Sequence, residues 1–316
     1  MEGLVYKSTG SWYSVRSAEG VFYPCRIKGK FRIDGIKSTN PIAVGDRVVF
    51  ELETADQETR GVITKIEPRE NYIIRKSVNL SKQTHIIASN IDYAFLLITP
   101  SNPVTTTSFI DRFLVTAAAY HIDCVLLFNK SDAYDEASMD QAKYLAALYR
   151  SIGYQCIGIS AKTGKNVDQV KALMTHRTTL FSGHSGVGKS TLVNALAPEL
   201  DLRTAEISQQ HAQGQHTTTF AEMFDLPFGG RIIDTPGIKG FGVVDLEPAE
   251  LGAYFPEFFA LQDQCKFNNC QHINEPNCAI KEQLDLGQLA WSRYNSYCQM
   301  HSGDDSQYRK DLYQES

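Results

Sequence analysis

Gly183-His184-Ser185-Gly186-Val187-Gly188-Lys189-Ser190 is the stretch that decides the fold. It fits G-x-x-x-x-G-K-[ST] and lies between a short apolar run, Thr178–Phe181, and a helical pattern, Lys189–Leu196. A strand before and a helix after is the context a phosphate-binding loop requires. The glycines let the backbone curl until its N–H groups face phosphate oxygens, and the helix start adds partial positive charge. Lys189 is expected to reach the β- and γ-phosphates, and the Ser190 hydroxyl to bind Mg²⁺.

Outward from this loop, strand and helix patterns alternate. Strands are expected at Ile91–Thr99, Cys124–Phe128, Tyr154–Ile159, Phe220–Leu226 and Arg231–Ile233. Helices are expected at Phe109–Tyr120, Asp135–Ile152 and Val167–Met174. In the long helix, Met139, Tyr144, Leu145, Leu148 and Ile152 fall on one side. Such alternation predicts a mostly parallel sheet with helices on both faces.

Asn129-Lys130-Ser131-Asp132 directly follows the strand ending at Phe128. A carboxylate at Asp132 can accept from both N1–H and the 2-amino group of guanine. Adenine offers no such donor pair, and an unpaired buried carboxylate is costly. Asn129 and the Lys130 stem would hold and cover the base. Ser160-Ala161-Lys162 follows the next strand, and the Ala161 N–H could donate to guanine O6. Asn-Lys-x-Asp alone is an ordinary loop. With Ser-Ala-Lys and a phosphate loop it indicates a guanine nucleotide.

Asp234-Thr235-Pro236-Gly237 ends the strand Arg231–Ile233. Its carboxylate can bind Mg²⁺ through water, and the Gly237 N–H can sense a γ-phosphate. Gly214-Gln215-His216-Thr217-Thr218-Thr219 can supply a second Mg²⁺ ligand, assigned to Thr218; a capping or turn role would use the same residues. In small GTPases the phosphate loop comes first; here the base-reading motifs precede it. That order is a circular permutation, which keeps the site because the site depends on position in space.

The flanks differ. Residues 4–67 carry five short strand patterns with glycine punctuation, which predicts a small β-barrel of the OB type. Residues 1–37 hold seven basic residues against three acidic ones, +4, so the rest of a chain of net charge −5 carries −9. Trp12, Tyr13, Phe22, Tyr23 and Phe31 are interleaved with these cations. A nucleic-acid face and an ordinary solvated face both account for that pattern. Beyond Asp245 only helical patterns remain, at 248–262 and 286–300. Between them lie Cys265, Cys270, His272 and Cys278. Three thiols and one imidazole at this spacing suit a closed, structural Zn²⁺ site; redox thiols or an iron–sulfur centre use the same residue types. Cys25, Cys124, Cys156 and Cys298 read as plain buried residues.

Composition narrows the classes. Hydrophobic residues make up 42% and charged residues 21%, which excludes a mainly disordered chain. The opening Met1–Leu4 has no signal-peptide pattern, and apolar runs such as Ala94–Ile98 are too short for a membrane helix, so a cytoplasmic protein is expected. A metabolic GTP-dependent kinase would need an acceptor pocket and an Arg-rich lid, neither of which the sequence suggests.

A basic N-terminal barrel, a permuted GTPase with a Gly-Gln-His-Thr-Thr-Thr loop and a C-terminal Cys₃His cluster together resemble the RsgA (YjeQ-like) small-subunit ribosome biogenesis GTPases of bacteria. The resemblance covers about residues 1–300. It implies an OB-fold domain over 1–70, a circularly permuted α/β P-loop GTPase domain over 71–245, and a mainly helical zinc domain over 246–316. It implies binding to the 30S subunit and its 16S rRNA, GTP hydrolysis stimulated by that subunit, a monomer, Mg²⁺ with the nucleotide and one structural Zn²⁺. The nucleotide motifs carry onto Asn129–Asp132 and Gly183–Thr191, and the zinc motif onto Cys265, Cys270, His272 and Cys278. Ras-like enzymes place a water-orienting Gln just after D-x-x-G. Ile238 stands there in this chain, so slow intrinsic turnover is expected, with His216 the candidate for the missing group. His216 could equally bind the ribosome or cap its loop.

Overall fold

The computed structural model describes residues 1–27, 41–55, 58–76, 84–200, 221–234 and 246–303. The chain forms two compact units. One comprises Met1–Ala94, Asp168–Phe181 and Val193–Ile238; the other comprises Phe95–Val167, Ser182–Leu192 and Lys239–Ser316.

The first unit opens with β1 (Glu2–Ser8), β2 (Tyr13–Ser17), β3 (Phe22–Ile27), β4 (Arg47–Ala55) and β5 (Glu58–Ile66). They run in the order β1-β2-β3-β5-β4, and β1 also pairs with β4, which closes a five-stranded barrel. Alternation drives the closure. Tyr13, Val15 and Ser17 of β2 point inward, and Val5, Val15, Cys25, Phe50 and Ile63 form the barrel core. Tyr13 is 2% exposed, so this ring, read from sequence as part of a nucleic-acid face, is core instead.

A hairpin of β6 (Tyr72–Lys76) and β7 (Thr84–Ser89) was not anticipated from sequence. Its anchor is the buried Asp46, which accepts from Arg69 through both oxygens, from the Ser89 hydroxyl and from the Ala43 N–H. A buried carboxylate satisfied this fully avoids the penalty of an unpaired one.

In the same unit, β11 (Thr178–Ser182), β12 (Glu222–Asp225) and β13 (Arg231–Asp234) extend the barrel strands, with β11 parallel to β13 and β12 antiparallel to it. β12 meets β1 at Lys7↔Glu222, and Glu222 is in turn in register with Asp234. The seam is polar. The Lys7 ammonium donates to Glu222 at 2.8 Å, and Asp225 accepts from the Tyr6 hydroxyl and from Arg16, both at 2.6 Å.

The second unit holds most of β8 (Tyr93–Ile98), with β9 (Asp123–Phe128) and β10 (Gln155–Gly158) in the order β10-β9-β8. These are continuous apolar strands, buried on both faces as parallel strands are. Helix α1 (Thr107–Ala119) starts where the Thr106 hydroxyl caps the Phe109 N–H. Helix α2 (Glu136–Ile152) is capped by Asp135 and stopped by the left-handed Gly153. The buried stripe of α2 is Ser138, Ala142, Leu145, Ala146 and Tyr149, whereas Tyr144 is 56% exposed. Leu145 is inward as expected, but Ser138, Ala142 and Ala146 beside it are small residues that a hydrophobicity pattern does not flag. Helices α3 (Val167–Met174) and α4 (Lys189–Leu196) have the bounds expected from sequence.

The C-terminal segment is helical, but its breaks differ from expectation. A 3-10 turn, Leu251–Tyr254, gives way at Pro256 to the short helix Pro256–Phe259. Of the helix expected at 286–300, Trp291–His301 forms; a further helix, Ala279–Asp285, precedes it, and Gly287 at φ 71° lies between the two. Their apolar core contains Leu251, Phe255, Phe258, Ile280, Leu284, Tyr297 and Val115 of α1. Beside it sits an ionic hub. Arg293, 1% exposed, donates to Asp111 of α1 at 2.6 Å and to both carboxylate oxygens of Glu257. The Tyr149 hydroxyl also donates to Asp111, and the guanidinium lies 4.6 Å from the Phe255 ring centroid. Burial opposes the charge on Arg293, but Asp111 and Glu257 outweigh it and hold the guanidinium protonated. Cys25 and Cys156 are buried as expected; Cys124 and Cys298 are only half-buried. Among the described residues no helix is long and apolar enough to cross a membrane.

Candidate active site and metal centre

The phosphate loop runs from the end of β11 into α4. Gly183, Gly186 and Gly188 all take positive φ, at 140°, 75° and 100°. Gly188 is also sterically required, since a Cβ there would fall 2.4 Å from the Asn129 side-chain nitrogen. Lys189 folds back over the loop and donates to the carbonyls of Gly183 and His184. Burial pushes its pKa down to about 8, a cost that a phosphate anion would relieve. Ser185, Ser190 and Thr191 are exposed on the loop and the first turn of α4, Val187 is buried beneath, and the His184 ring packs on Phe109 at 4.0 Å.

Asn129 is the joint between the phosphate loop and the two loops that follow β9 and β10. Its amide donates to the Val187 carbonyl at 2.9 Å, and its oxygen accepts from the Ala161 N–H at 3.0 Å. One 1%-exposed side chain therefore ties the phosphate loop to the Ser160–Lys162 loop. The Ala161 amide, read from sequence as a donor to guanine O6, is engaged with Asn129 in this conformation. Ser160 donates to Asp132 at 2.5 Å and accepts from the Thr163 N–H. That hydroxyl, with Lys162 and Lys130 nearby, holds the exposed Asp132 carboxyl below the ordinary range, so it is an acceptor at neutral pH. The Ser131 N–H donates to the Ile159 carbonyl.

Two partners were missed. Lys130, at φ 64°, donates to the Asn102 carbonyl at 2.6 Å, and the Tyr134 hydroxyl donates to the Asn129 carbonyl at 2.6 Å. Neither carries a motif; only the strand-to-helix loop after β8 hinted at a role. Asp234 closes β13. His216, Thr218, Gly237 and Ile238 lie outside the described residues.

The model of the RsgA GTPase family matches residues 66–244, and that of the RsgA N-terminal domain matches residues 2–63. The chain belongs to the RsgA GTPase family. It is 68% identical over 314 residues to a small ribosomal subunit biogenesis GTPase RsgA of Christiangramia forsetii, covering 99% of this chain and 100% of the relative. The RsgA of Flavobacterium johnsoniae is 62% identical over 315 residues, covering 100% of this chain and 97% of the relative. YjeQ from Thermotoga maritima superposes with a TM-score of 0.76 at 35% identity, over 96% of this chain and 97% of that one. YloQ, described as a circularly permuted GTPase, gives 0.73 at 29% identity, over 97% and 95%. As an RsgA-family member the chain is a GTP hydrolase built from an N-terminal five-stranded barrel and a circularly permuted GTPase fold.

The candidate metal ligands lie together in the C-terminal segment. The ligand atoms of Cys265, Cys270, His272 and Cys278 all lie within 4.8 Å of one another. His272 Nδ1 stands 3.4 Å from the Cys278 sulfur and 3.6 Å from that of Cys265, and those two sulfurs are 4.0 Å apart. Tetrahedral Zn–S and Zn–N bonds give ligand separations of roughly 3.5–3.8 Å, so the cluster can hold such an ion. Burial lowers the His272 pKa and keeps its imidazole neutral. Burial also pushes the Cys270 thiol up to about 12 and raises Cys278, so a cation is what would favour their thiolates. Glu275, not flagged from sequence, shapes the loop. It accepts from the N–H groups of Gln271, Ile273 and Asn274. The Tyr294 and Tyr297 hydroxyls hold the carbonyls of His272 and Gln271.

Proposed function

We propose that this GTPase acts on the 30S ribosomal subunit late in its maturation and that the subunit stimulates its GTP hydrolysis. The observation that carries the nucleotide half is Asn129, which ties the phosphate loop to the Ser160–Lys162 loop, while the Ser160 hydroxyl holds Asp132 beside them. The relatives, small ribosomal subunit biogenesis GTPases by name, support the subunit half. In this reading Asp132 selects guanine, while Lys130, Ser131, Ser160, Ala161 and Lys162 complete the base pocket. Gly183–Thr191 and Gly237 hold the phosphates. Ser190, Thr218 and, through water, Asp234 would hold Mg²⁺, which would neutralise charge on the phosphate oxygens. Lys189 draws charge off the transferring group, and His216 orients the attacking water. Zn²⁺ is the ion that fits Cys265, Cys270, His272 and Cys278, in a structural role. The barrel (1–70) faces rRNA, residues 71–245 carry the chemistry and 246–316 form the zinc domain of a cytoplasmic monomer.

Single-turnover hydrolysis with and without purified 30S subunits tests this. The subunit should raise the rate, and an unchanged rate would overturn the proposal. His216→Ala should abolish the stimulated rate while sparing GTP affinity and subunit binding, because the imidazole acts only in the transition state. Asp132→Asn should move preference from GTP towards XTP, since its amide offers a donor where guanine has donors. A variant that keeps GTP affinity and gains none for XTP would remove Asp132 from base reading.

A further inference from the structure

The barrel's described cations do not form an open basic face. Lys7 is paired with Glu222, Arg16 with Asp225 and Arg26 with Glu53. What the barrel does expose is aromatic. Trp12 is 40% exposed and Phe22 is 51% exposed. Both line a shallow groove of about 290 Å³ together with Lys7, Thr9, Tyr23 and Pro24. Each ring has an arginine over it: the Arg60 guanidinium lies 5.5 Å from the Trp12 centroid, and that of Arg16 lies 5.8 Å from the Phe22 centroid. Tyr6 meets Phe22 edge-on at 5.1 Å and fixes its tilt.

We propose that this groove is a stacking platform for an unpaired RNA base, with Trp12 and Phe22 as its rings. Three features favour that occupant. Large aromatic rings left in water beside one another mark a binding surface. Arginine over an aromatic ring enriches a π-stack and leaves the opposite face for a base. The groove is lined by the hydroxyls of Thr9 and Ser14 and by no carboxylate of its own, Lys7 at its edge is held by Glu222, and the Arg60 guanidinium over Trp12 supplies the positive charge that suits a phosphate-bearing strand. Only an unpaired base offers its face, so a regular duplex is a poor ligand. The platform deepens the reading that the barrel faces rRNA and rests on it.

Trp12 and Trp291 are the two tryptophans of the chain, so full-length Trp291→Phe reports Trp12 alone. It is titrated with a single-stranded oligoadenylate 12-mer of RNA and with the same strand annealed to its complement. The single strand should quench Trp12 emission and the duplex should not. By anisotropy of a labelled strand, Trp12→Ala in the full chain should bind the oligomer about tenfold more weakly, while Trp12→Phe keeps most of the affinity. GTP binding reports that both variants are folded. Equal quenching by the duplex, binding that ignores Trp12→Ala, or no binding of the single strand would each overturn the platform. 30S co-sedimentation of the unaltered chain is read in parallel. Its loss would sink the ribosomal reading, whereas intact co-sedimentation with a failed oligomer test would sink the platform alone.

Discussion

The metal cluster takes its four ligands from Cys265 to Cys278, fourteen positions of chain, while the Arg293 hub collects Asp111, Tyr149 and Glu257 from separate helices, up to 182 residues away. Both fasten the same C-terminal segment. The cluster is local, and its spacing announces its chemistry. The hub has no spacing to announce, and each member alone is an ordinary charged or aromatic residue on a helix. The two should also fail differently, because a removed ion leaves neutral thiols, whereas a removed guanidinium leaves buried carboxylates.

Arg293→Ala is the harshest way to press that contrast. It strands Asp111 at 0% exposure and Glu257 at 10%, and should cost about 3–5 kcal/mol in urea unfolding. Combining Arg293→Met with Asp111→Asn and Glu257→Gln should restore much of that loss, since a neutral set removes the stranded charge. A loss below about 1 kcal/mol for Arg293→Ala would mean that the hub is not a fastening at all.

Chelation, or Cys270→Ala, should act locally. Metal content should fall from about one ion per chain, and amides of residues 265–280 should exchange roughly tenfold to a hundredfold faster. Helix α1 and the helix Trp291–His301 should keep their protection, because Arg293 still spans them. Exchange that spreads over all of 246–303 would reverse the ranking of the two fastenings.

Smaller substitutions sharpen the border between them. Glu275→Gln weakens three charge-assisted bonds from backbone N–H groups and should reduce metal affinity by about 1–2 kcal/mol, read by competition with a chromophoric chelator. Tyr294→Phe removes the hydroxyl that links the last helix to the His272 carbonyl and should cost about 1 kcal/mol or less in unfolding. A larger loss would show that cluster and hub act as one unit.

The same divide explains what the sequence revealed. Lys189–Leu196 and the strands of the barrel were readable because glycines and alternation mark them locally. So was the Cys₃His set. The hairpin Tyr72–Lys76 with Thr84–Ser89 was not, because its anchor is Asp46, contributed from elsewhere in the chain. Tyr144 was read as inward because hydrophobicity favoured it over Ala142 and Ala146, yet close packing on α2 needs the small residues. Tyr13 was grouped with the exposed rings by composition, and only the pleat of β2 turns it inward. The Asn129 bridge was half legible: the motif named the residue, but not its hold on Val187 and Ala161.

The 182 residues between Asp111 and Arg293 also set an order in time. A chain made from its N-terminus exposes α1 long before the helix Trp291–His301 exists. Until then Asp111 has no guanidinium to meet and must stay hydrated, so this side of α1 cannot close. The loops that Asn129 ties can join earlier, since Ala161 follows Asn129 by only 32 residues and Val187 by 58. Arrival of Arg293 is thus the step that seals the unit, and a nascent chain cut short of it would carry the joined Asn129 loops over an unfinished core.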